Sequence, residues 1–334
     1  MVALIKFFYR PFLDLYLEIY HHPLVLLVIL LVFILISMLI LCWQKKLASG
    51  IGKGILRFIS IIIFVATFIF LFTYSIVIYS IYIEPNWIKV EKVTIKNTLL
   101  ANAFEGITAI QITDLHIEEF GYREKKMIKL LNKLKPDILF ITGDFITYPE
   151  GTELCLEVLK NINAQYGIWG IVGDRDGGSG NLKERMKKIN ITILTNEVKK
   201  LNLGNNPPFW LIGINGDNIP DEIKDVRTKV SRAPQLPIIL LVHYPEALIP
   251  ASDARIDLVL SGDTHGGQIG PLFLRKYWRR LRGVGGGSHE FIAGLYKMGA
   301  TQLYISRGVG IGTHHIPVRF LCHPEITMFK FEKN

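Results

Sequence analysis

Five short blocks of aspartate, histidine and glycine between residues 114 and 268 have the residue types of a metal site. Carboxylate and imidazole donors without thiolate suit Mn²⁺, Fe²⁺ or Zn²⁺, and Mg²⁺ is possible. A single aspartate after a strand commonly caps a helix, so one block alone predicts little. Five in order predict a metal site. The blocks are Asp114-Leu115-His116, Gly143-Asp144, Gly173-Asp174-Arg175-Asp176, His243 and Ser261-Gly262-Asp263-Thr264-His265-Gly266-Gly267-Gln268.

Each block follows an apolar run that predicts a buried strand. In open α/β sheets, ligand sites form beyond the carboxyl ends of the strands, so the five blocks are expected to converge. Helical apolar periodicity between the strands predicts an alternating, layered α/β fold. The predicted strands are 107–112, 138–142, 167–172, 210–214, 238–242 and 258–260, and the predicted helices are 123–134, 153–159 and 182–189.

The ordered blocks resemble the calcineurin-like metallophosphoesterases, whose pattern runs D-x-H, G-D, G-N-H-[DE], H and G-H-x-H. The resemblance covers nearly all of residues 88–334. Its tail is typical of the branch of that family with N-terminal membrane segments. The resemblance implies a layered sandwich of central β-sheets flanked by helices. The tail motifs are Leu303-Tyr304-Ile305-Ser306-Arg307-Gly308, Pro317-Val318-Arg319 and Pro324-Glu325-Ile326.

The resemblance also implies two divalent metal ions. The first would be held by Asp114, His116, Asp144 and His265. Asp144 would bridge to a second ion, held also by Asp174, His243 and Asp263. Two such ions activate water and clamp the phosphoryl oxygens during an in-line displacement.

Two of these positions depart from the family pattern at the second ion. Asp174 stands where the family has asparagine, and Asp263 stands where it has the first histidine of G-H-x-H. Both substitutions keep a donor oxygen and add negative charge. They favour a hard ion, Mn²⁺ or Mg²⁺, and we expect Mn²⁺.

A third departure concerns the leaving group. Arg175 replaces the histidine of G-N-H-D, and an arginine does not release its proton at working pH. It can still donate hydrogen bonds to a phosphoryl oxygen. A phosphate monoester, with a second pKa near 6, leaves as an anion without needing a proton. Arg175 therefore indicates cleavage of a diphosphate bond.

The G-x-R-D form is similar to the UDP-2,3-diacylglucosamine pyrophosphatases of lipid A synthesis. That resemblance implies attack on the uridylyl phosphorus, with release of UMP and 2,3-diacylglucosamine 1-phosphate. A nucleotide-linked acylated sugar and membrane lipid are the expected partners. Two alternatives stay open: a general metallophosphodiesterase or phosphatase of the cell envelope, and a catalytically silent membrane-bound binding module.

The composition predicts membrane attachment. The chain has 334 residues, of which 50% are hydrophobic, and a mean hydropathy of +0.31. Residues 23–43 and 58–83 are apolar and uncharged, and each is long enough to span a bilayer core of about 30 Å. We predict a transmembrane hairpin within residues 23–83, preceded by an interfacial segment, 1–22, and followed by the catalytic domain, 84–334. A loosely packed helix is the alternative for residues 1–22.

Charge does not decide the orientation of this hairpin. Four basic residues lie in its connecting loop, at 45, 46, 53 and 57, and five flank its outer ends, at 6, 10, 89, 92 and 96. A nucleotide-linked substrate favours a bacterial inner membrane with the catalytic domain facing the cytoplasm. The net charge of +9 is too diffuse to indicate nucleic acid. The three cysteines show neither a disulfide framework nor a zinc motif.

Within the lid-like segment 271–287, residues 271–283 interleave aromatic and basic side chains, and residues 283–287 are glycine-rich and predict a flexible hinge. As a helix, this segment would present apolar and cationic faces, which is typical of an interfacial lid that meets acyl chains and diphosphate. Arg275, Trp278, Arg279 and Arg282 are its candidate substrate contacts. A solvated basic surface helix is the alternative.

Overall fold

The computed structural model describes residues 51–178, 181–230, 235–270, 291–312 and 318–334. The interfacial segment 1–22, the first predicted span and the segment 271–287 lie outside the described residues. The chain divides into two compact units, Met1–Tyr79 and Ser80–Asn334.

In its described part, the first unit is a helix, α1 (Ile51–Ile78), followed across the boundary by a π-helical turn, Tyr79–Ile83. Its large apolar side chains are exposed; Phe64, for example, is 67% exposed. Within the described residues, Arg57–Asn86 is the one helical stretch long and apolar enough to cross a membrane, with a mean hydropathy of 2.7 over an 18-residue window. The second predicted span is therefore helical. The hairpin stays a prediction, because its first span is outside the described residues.

The described part of the second unit contains two six-stranded sheets. Their strands, in chain order, are β1 (Lys89–Lys96), β2 (Ala109–Ile112), β3 (Ile138–Thr142), β4 (Ile168–Ile171), β5 (Ile191–Ile193), β6 (Glu197–Leu201), β7 (Phe209–Gly213), β8 (Ile238–Leu241), β9 (Leu258–Ser261), β10 (Gly294–Met298), β11 (Thr301–Ile305) and β12 (Glu325–Glu332). The first sheet has the order β1-β12-β2-β3-β4-β5 and the second the order β10-β11-β9-β8-β7-β6.

Most of the central strands run parallel, which places their carboxyl ends at one edge of each sheet. Strands β2 to β5 are parallel in the first sheet, as are β7, β8, β9 and β11 in the second. Antiparallel pairs are β12 with β2, β10 with β11, and β6 with β7. This is the arrangement that a site built from strand ends requires.

Side chains along each buried strand point alternately to the two faces of the sheet, and the apolar core therefore forms three layers. In β3, Ile138 and Phe140 pack between the sheets, against Leu241 and Leu260 of the second sheet. Leu139, on the opposite face, packs against the helices that cover the first sheet. A third cluster lies under the helices of the second sheet. The predicted layered sandwich of two sheets flanked by helices is confirmed. The helices are α2 (Thr98–Ala103), α3 (Tyr122–Leu134), α4 (Thr152–Leu159), α5 (Leu182–Lys187), α6 (Ile219–Thr228) and α7 (Leu248–Asp253).

The predicted elements differ from the observed ones mainly at their ends. The predicted strand 107–112 begins two residues later in β2, and the predicted strand 258–260 extends to Ser261 in β9. The predicted helix 182–189 ends at Lys187 in α5. Helix α3 ends as predicted, because Lys135 takes a left-handed conformation (φ 49°) directly before Pro136.

Candidate metal centre

Four of the predicted ligands meet at the ends of three strands. One donor atom each from Asp114, His116, Asp144 and His265 lies within 4.8 Å of the others, and all four residues are buried. The Nε2 atoms of His116 and His265 are 3.1 Å apart. Asp144 Oδ2 lies 3.3 Å from His116 Nε2, and Asp114 Oδ1 lies 3.5 Å from His265 Nε2. Converging donors of this kind suit one cation.

A second group of donors shares Asp144 with the first. Asp144, Asp174 and His243 also place one donor atom each within 4.8 Å of the others. His243 Nε2 lies 3.5 Å from Asp144 Oδ2 and 3.5 Å from Asp174 Oδ1. Because Asp144 belongs to both groups, it occupies the position that a bridging ligand requires.

Asp263 lies beside the second group without joining it. Its backbone N–H donates to Asp114 Oδ1 at 3.1 Å, and its carboxylate is not among the three converging donors. Burial raises its pKa to about 6, opposed by nearby His243. The structure thus places Asp263 next to both groups, with its backbone rather than its side chain in contact.

Several of these residues occupy strained backbone conformations. Asp114, His116, Asp144, Asp263 and His265 have φ angles of 50°, 43°, 54°, 67° and 50°. Residues other than glycine rarely adopt positive φ, and such strain clusters at functional sites. These turns direct the side chains back across the strand ends.

The neighbouring backbone leaves room only for glycine at Gly143. Its φ is +93°, and an added Cβ would lie 2.8 Å from both Gly173 N and His243 Nδ1. Gly143 therefore brings the Asp144 turn close to the second group.

His243 is oriented by a backbone hydrogen bond. Its Nδ1 lies 2.8 Å from the carbonyl oxygen of Thr142, which only accepts, so Nδ1 carries the proton. Nε2 then faces Asp144 and Asp174, where it can bind a cation in place of a proton. A histidine held in this way through its other nitrogen is the usual arrangement in metal sites.

The electrostatics of the two groups favour a bound cation. Among the described residues, Asp114 Oδ2 is buried without a hydrogen-bond partner, and so is His243 Nε2. Burial raises the pKa of Asp114 to about 8. Burial alone would lower the pKa of His243, but Asp144 and its neighbours raise it well above the ordinary value. Without another cation, protons on these groups relieve the repulsion between buried carboxylates. One or two divalent cations fit the same place.

The pKa shifts of His116 and Asp144 agree with ligand roles. Burial lowers the pKa of His116 to about 4, so its imidazole is neutral, as a ligand must be. Burial would raise the pKa of Asp144, but His243 and His116 together with the Arg175 N–H hold it below the usual range. Asp144 is therefore ionised.

Arg175 lies at the edge of the second group. Its Nε lies 3.5 Å from Asp174 Oδ2, and its backbone N–H donates to Asp144 Oδ1 at 3.1 Å. Its Nη2 is buried without a hydrogen-bond partner among the described residues. A donor of this kind beside a cation site suits an anionic ligand.

Two buried residues support the centre although the sequence analysis assigned them no role. Gln111 Nε2 donates to Thr142 Oγ1 at 2.9 Å and to the Ser261 carbonyl at 3.0 Å, joining the two sheets beneath the site. Asp176 accepts from the N–H groups of Phe145 and Gly173 at 2.9 and 2.8 Å. Asp176 belongs to the predicted Gly173–Asp176 block, but its partners are backbone N–H groups that no sequence pattern indicates.

Replacing Asp176 with asparagine is expected to weaken both stability and metal binding. Asp176 also accepts from Ile146 N at 3.3 Å, and an amide has one acceptor oxygen for these three donors. We expect a loss of about 2 kcal/mol in unfolding free energy and a fall in metal affinity of about 10- to 100-fold. Thermal melting and Mn²⁺ titration measure the two effects.

The control for this variant is Asp137→Asn. Asp137 Oδ2 accepts from Thr108 N at 2.7 Å, at the opposite ends of the strands. It should lower stability while leaving Mn²⁺ affinity unchanged. Equal effects of both variants on affinity would show that Asp176 acts only through global stability.

The other predicted contacts are not placed by the described residues. Arg275, Trp278, Arg279 and Arg282 lie in the segment outside them. His323 is described: its ring packs edge-on against Trp87 at 4.9 Å, away from the candidate ligands. Cys155 and Cys322 are buried and free.

Comparison with known proteins gives one family match. The family model described as calcineurin-like phosphoesterase matches residues 107–267. The chain is 32% identical over 265 residues to the uncharacterized metallophosphoesterase YkuE of Bacillus subtilis, covering 75% of this chain and 88% of that protein.

Two further relatives have names that state an activity. The chain is 25% identical over 308 residues to the UDP-2,3-diacylglucosamine pyrophosphatase LpxG of Chlamydia muridarum, covering 76% of this chain and 92% of that protein. It is 26% identical over 261 residues to the phosphodiesterase YaeI of Escherichia coli, covering 75% of this chain and 91% of that protein.

Proposed function

The chain belongs to the calcineurin-like metallophosphoesterase family and is a metal-dependent hydrolase of phosphoester or pyrophosphate bonds; from this premise, we propose that it cleaves the diphosphate of UDP-2,3-diacylglucosamine. The products would be UMP and 2,3-diacylglucosamine 1-phosphate. The observation that carries the proposal is the guanidinium of Arg175 beside the two groups of converging donors, where it contacts Asp174.

Arg175 supports a leaving group that needs no proton. A guanidinium donates hydrogen bonds but does not act as a general acid. When water attacks the uridylyl phosphorus, the bond to the bridging oxygen breaks, and the sugar phosphate departs with the electron pair. That product is a phosphate monoester and is stable as an anion. The buried Nη2 of Arg175 has no hydrogen-bond partner among the described residues, and a small rotation of the side chain would offer it to a phosphoryl oxygen.

The metal ions would be held by the two groups described above, with Asp144 common to both. Bound there, they would supply an activated water and neutralise charge on the phosphoryl oxygens. The chain's own part is to fix the donors: Thr142 orients His243, and the Arg175 N–H orients Asp144. Asp263 would complete the second group by turning its carboxylate toward His243.

The metal preference of the second group is expected to follow its oxygen donors. Restoring the family residues with Asp174→Asn and Asp263→His should raise activity with Zn²⁺ relative to Mn²⁺, because nitrogen donors and lower charge favour softer ions. The ratio of kcat/KM with the two metals measures this. The control is Asp225→Asn. Asp225 lies in α6 and forms an exposed salt bridge with Lys229. An unchanged ratio in the double variant would contradict the account of the second group.

The relatives support a phosphohydrolase but do not distinguish its substrate. LpxG bears the name of the proposed activity, whereas YaeI is named a phosphodiesterase, and a general phosphodiesterase is the alternative function. For the proposed activity, we place the protein at the bacterial inner membrane with the second unit facing the cytoplasm, where nucleotide sugars are made. The apolar helical stretch Arg57–Asn86 would supply the attachment.

The test compares two substrates with the full-length protein in detergent and Mn²⁺. We expect strong UMP release from UDP-2,3-diacylglucosamine and weak nitrophenol release from bis-p-nitrophenyl phosphate. The reverse ratio would overturn the lipid substrate and favour the general phosphodiesterase. UDP-N-acetylglucosamine, which has the diphosphate without acyl chains, separates recognition of the lipid from recognition of the diphosphate.

A further inference from the structure

Arg319 is a buried cation whose described partners are backbone carbonyls. It is 0% exposed. Its Nε donates to the Gly310 carbonyl at 3.1 Å, its Nη1 to that of Cys322 at 3.2 Å, and its Nη2 to that of Arg307 at 2.8 Å. No carboxylate of the described residues forms a salt bridge with it. Burying an unpaired guanidinium is costly, so these contacts call for a specific role.

The loop that Arg319 holds packs directly on a candidate ligand. Gly310 N donates to the Asp114 carbonyl at 2.7 Å, and Val309 N donates to the Thr113 carbonyl at 3.0 Å. Gly308 has a φ of +71°, and a Cβ there would lie 2.7 Å from the Cβ of Asp114. Because residues 308–310 contact Asp114, a shift of the carbonyls that Arg319 binds would move Asp114.

The same short segment reaches the turn that carries His265. The Cys322 thiol lies 3.4 Å from the His265 carbonyl and 3.6 Å from that of Gly266. Phe320 N donates to the Gln268 carbonyl at 2.9 Å. Residues 319–322 thus join the Asp114 loop of the first sheet to the His265 turn of the second.

A buried carboxylate fixes this segment to the start of the second unit. Glu84 is 0% exposed. It accepts from Leu321 N at 2.7 Å and also from Cys322 N. The Ser80 carbonyl accepts from Arg319 N at 3.0 Å. Ser80 and Glu84, near the start of the second unit, therefore hold residues 319–322 in place.

We infer that Arg319 is a positioning residue for the metal centre, setting the separation of Asp114 and His265, and that Glu84 anchors it. Arg319 and Glu84 both lie outside residues 107–267, which the family model matches. The inference rests on the proposed metal-dependent activity but not on the choice of substrate. It assigns Arg319 to the first donor group, because the hydrogen bonds between described residues connect the segment with Asp114 and the His265 turn.

The first test is Mn²⁺ titration of full-length Arg319→Met, which keeps the volume of the side chain but loses its donors. We expect the affinity of one of two Mn²⁺ sites to fall by about 10- to 100-fold, as for other residues that orient ligands, while the other site is unchanged. Excess Mn²⁺ should restore kcat with bis-p-nitrophenyl phosphate. Arg319→Lys, which keeps the charge but not the planar fork, should be intermediate.

The matched control is Arg227→Met. Arg227 also binds backbone carbonyls, those of Ala254 at 3.0 Å and Val230 at 3.4 Å, far from the centre on α6. It should leave both Mn²⁺ sites unchanged. Equal weakening of both sites in Arg319→Met, or no weakening at all, would overturn the inference.

A second variant covers the case in which Arg319→Met does not fold. Glu84→Gln keeps the shape of the carboxylate and one acceptor oxygen, and should weaken the same single Mn²⁺ site to a smaller extent. It should also speed hydrogen exchange at the amides of residues 308–310. Unchanged Mn²⁺ affinity and exchange in a folded Glu84→Gln protein would contradict the anchoring role. Because both readouts are independent of substrate, they do not depend on whether the lipid is hydrolysed.

Discussion

Replacing Asp144 with asparagine is expected to reduce hydrolysis of every substrate by at least about a thousandfold, or roughly 4 kcal/mol in the activation barrier. Asp144 is the one residue common to both groups of converging donors. The amide keeps an oxygen for the Arg175 N–H, which Asp144 now accepts at 3.1 Å, so the turn should keep its shape. What is lost is the charge between His116 and His243. Steady-state kinetics with saturating Mn²⁺ measures the effect.

Asp257→Asn is the control for this variant. Asp257 is a part-buried carboxylate that accepts from Ile238 N at 2.8 Å and Asn97 Nδ2 at 2.9 Å, at the opposite ends of the strands. It should retain most activity. If Asp144→Asn also retained more than about a tenth of the wild-type kcat/KM, roughly 1.4 kcal/mol, a shared ligand at this position would be excluded.

Replacing Arg175 with histidine is expected to reduce diphosphate cleavage by about 100- to 1,000-fold, the usual cost of removing one donor to developing charge. Histidine restores the family residue but loses the forked donors. Cleavage of bis-p-nitrophenyl phosphate should fall less, because its leaving nitrophenolate, unlike a sugar phosphate, has no phosphoryl oxygens for the guanidinium to bind. The ratio of kcat/KM for the two substrates is the readout.

The matched control for Arg175 is Arg185→His. Arg185 pairs with the exposed Glu153 on the helical surface of the first sheet. It should leave both activities unchanged. Wild-type cleavage of the diphosphate lipid by Arg175→His would show that Arg175 is not the donor to the phosphoryl group.

The sequence predicted most of the donors that converge, because parallel strands bring their carboxyl ends to one edge, but the carboxylate of the predicted ligand Asp263 does not join them. Asp114, Asp144 and His243 each follow a strand whose apolar run is legible without the structure. The left-handed turns that direct these side chains were not predicted, because aspartate and histidine at positive φ have no sequence signature.

The support from the C-terminal segment was also beyond prediction. Arg319 appeared in a family motif, but its partners are backbone carbonyls, which leave no pattern of side chains to recognise. Glu84 lies far from it in sequence, at the end of an apolar stretch that predicted only a membrane span. Contacts between side chain and distant backbone depend on tertiary structure alone.

Electron paramagnetic resonance of the full-length protein loaded with Mn²⁺ tests the central claim, that two ions share Asp144. We predict two ions per chain at saturation and the signal of an exchange-coupled pair, which Asp144→Asn should abolish. A single bound ion, or two ions that give only uncoupled signals in the wild type, would contradict the account.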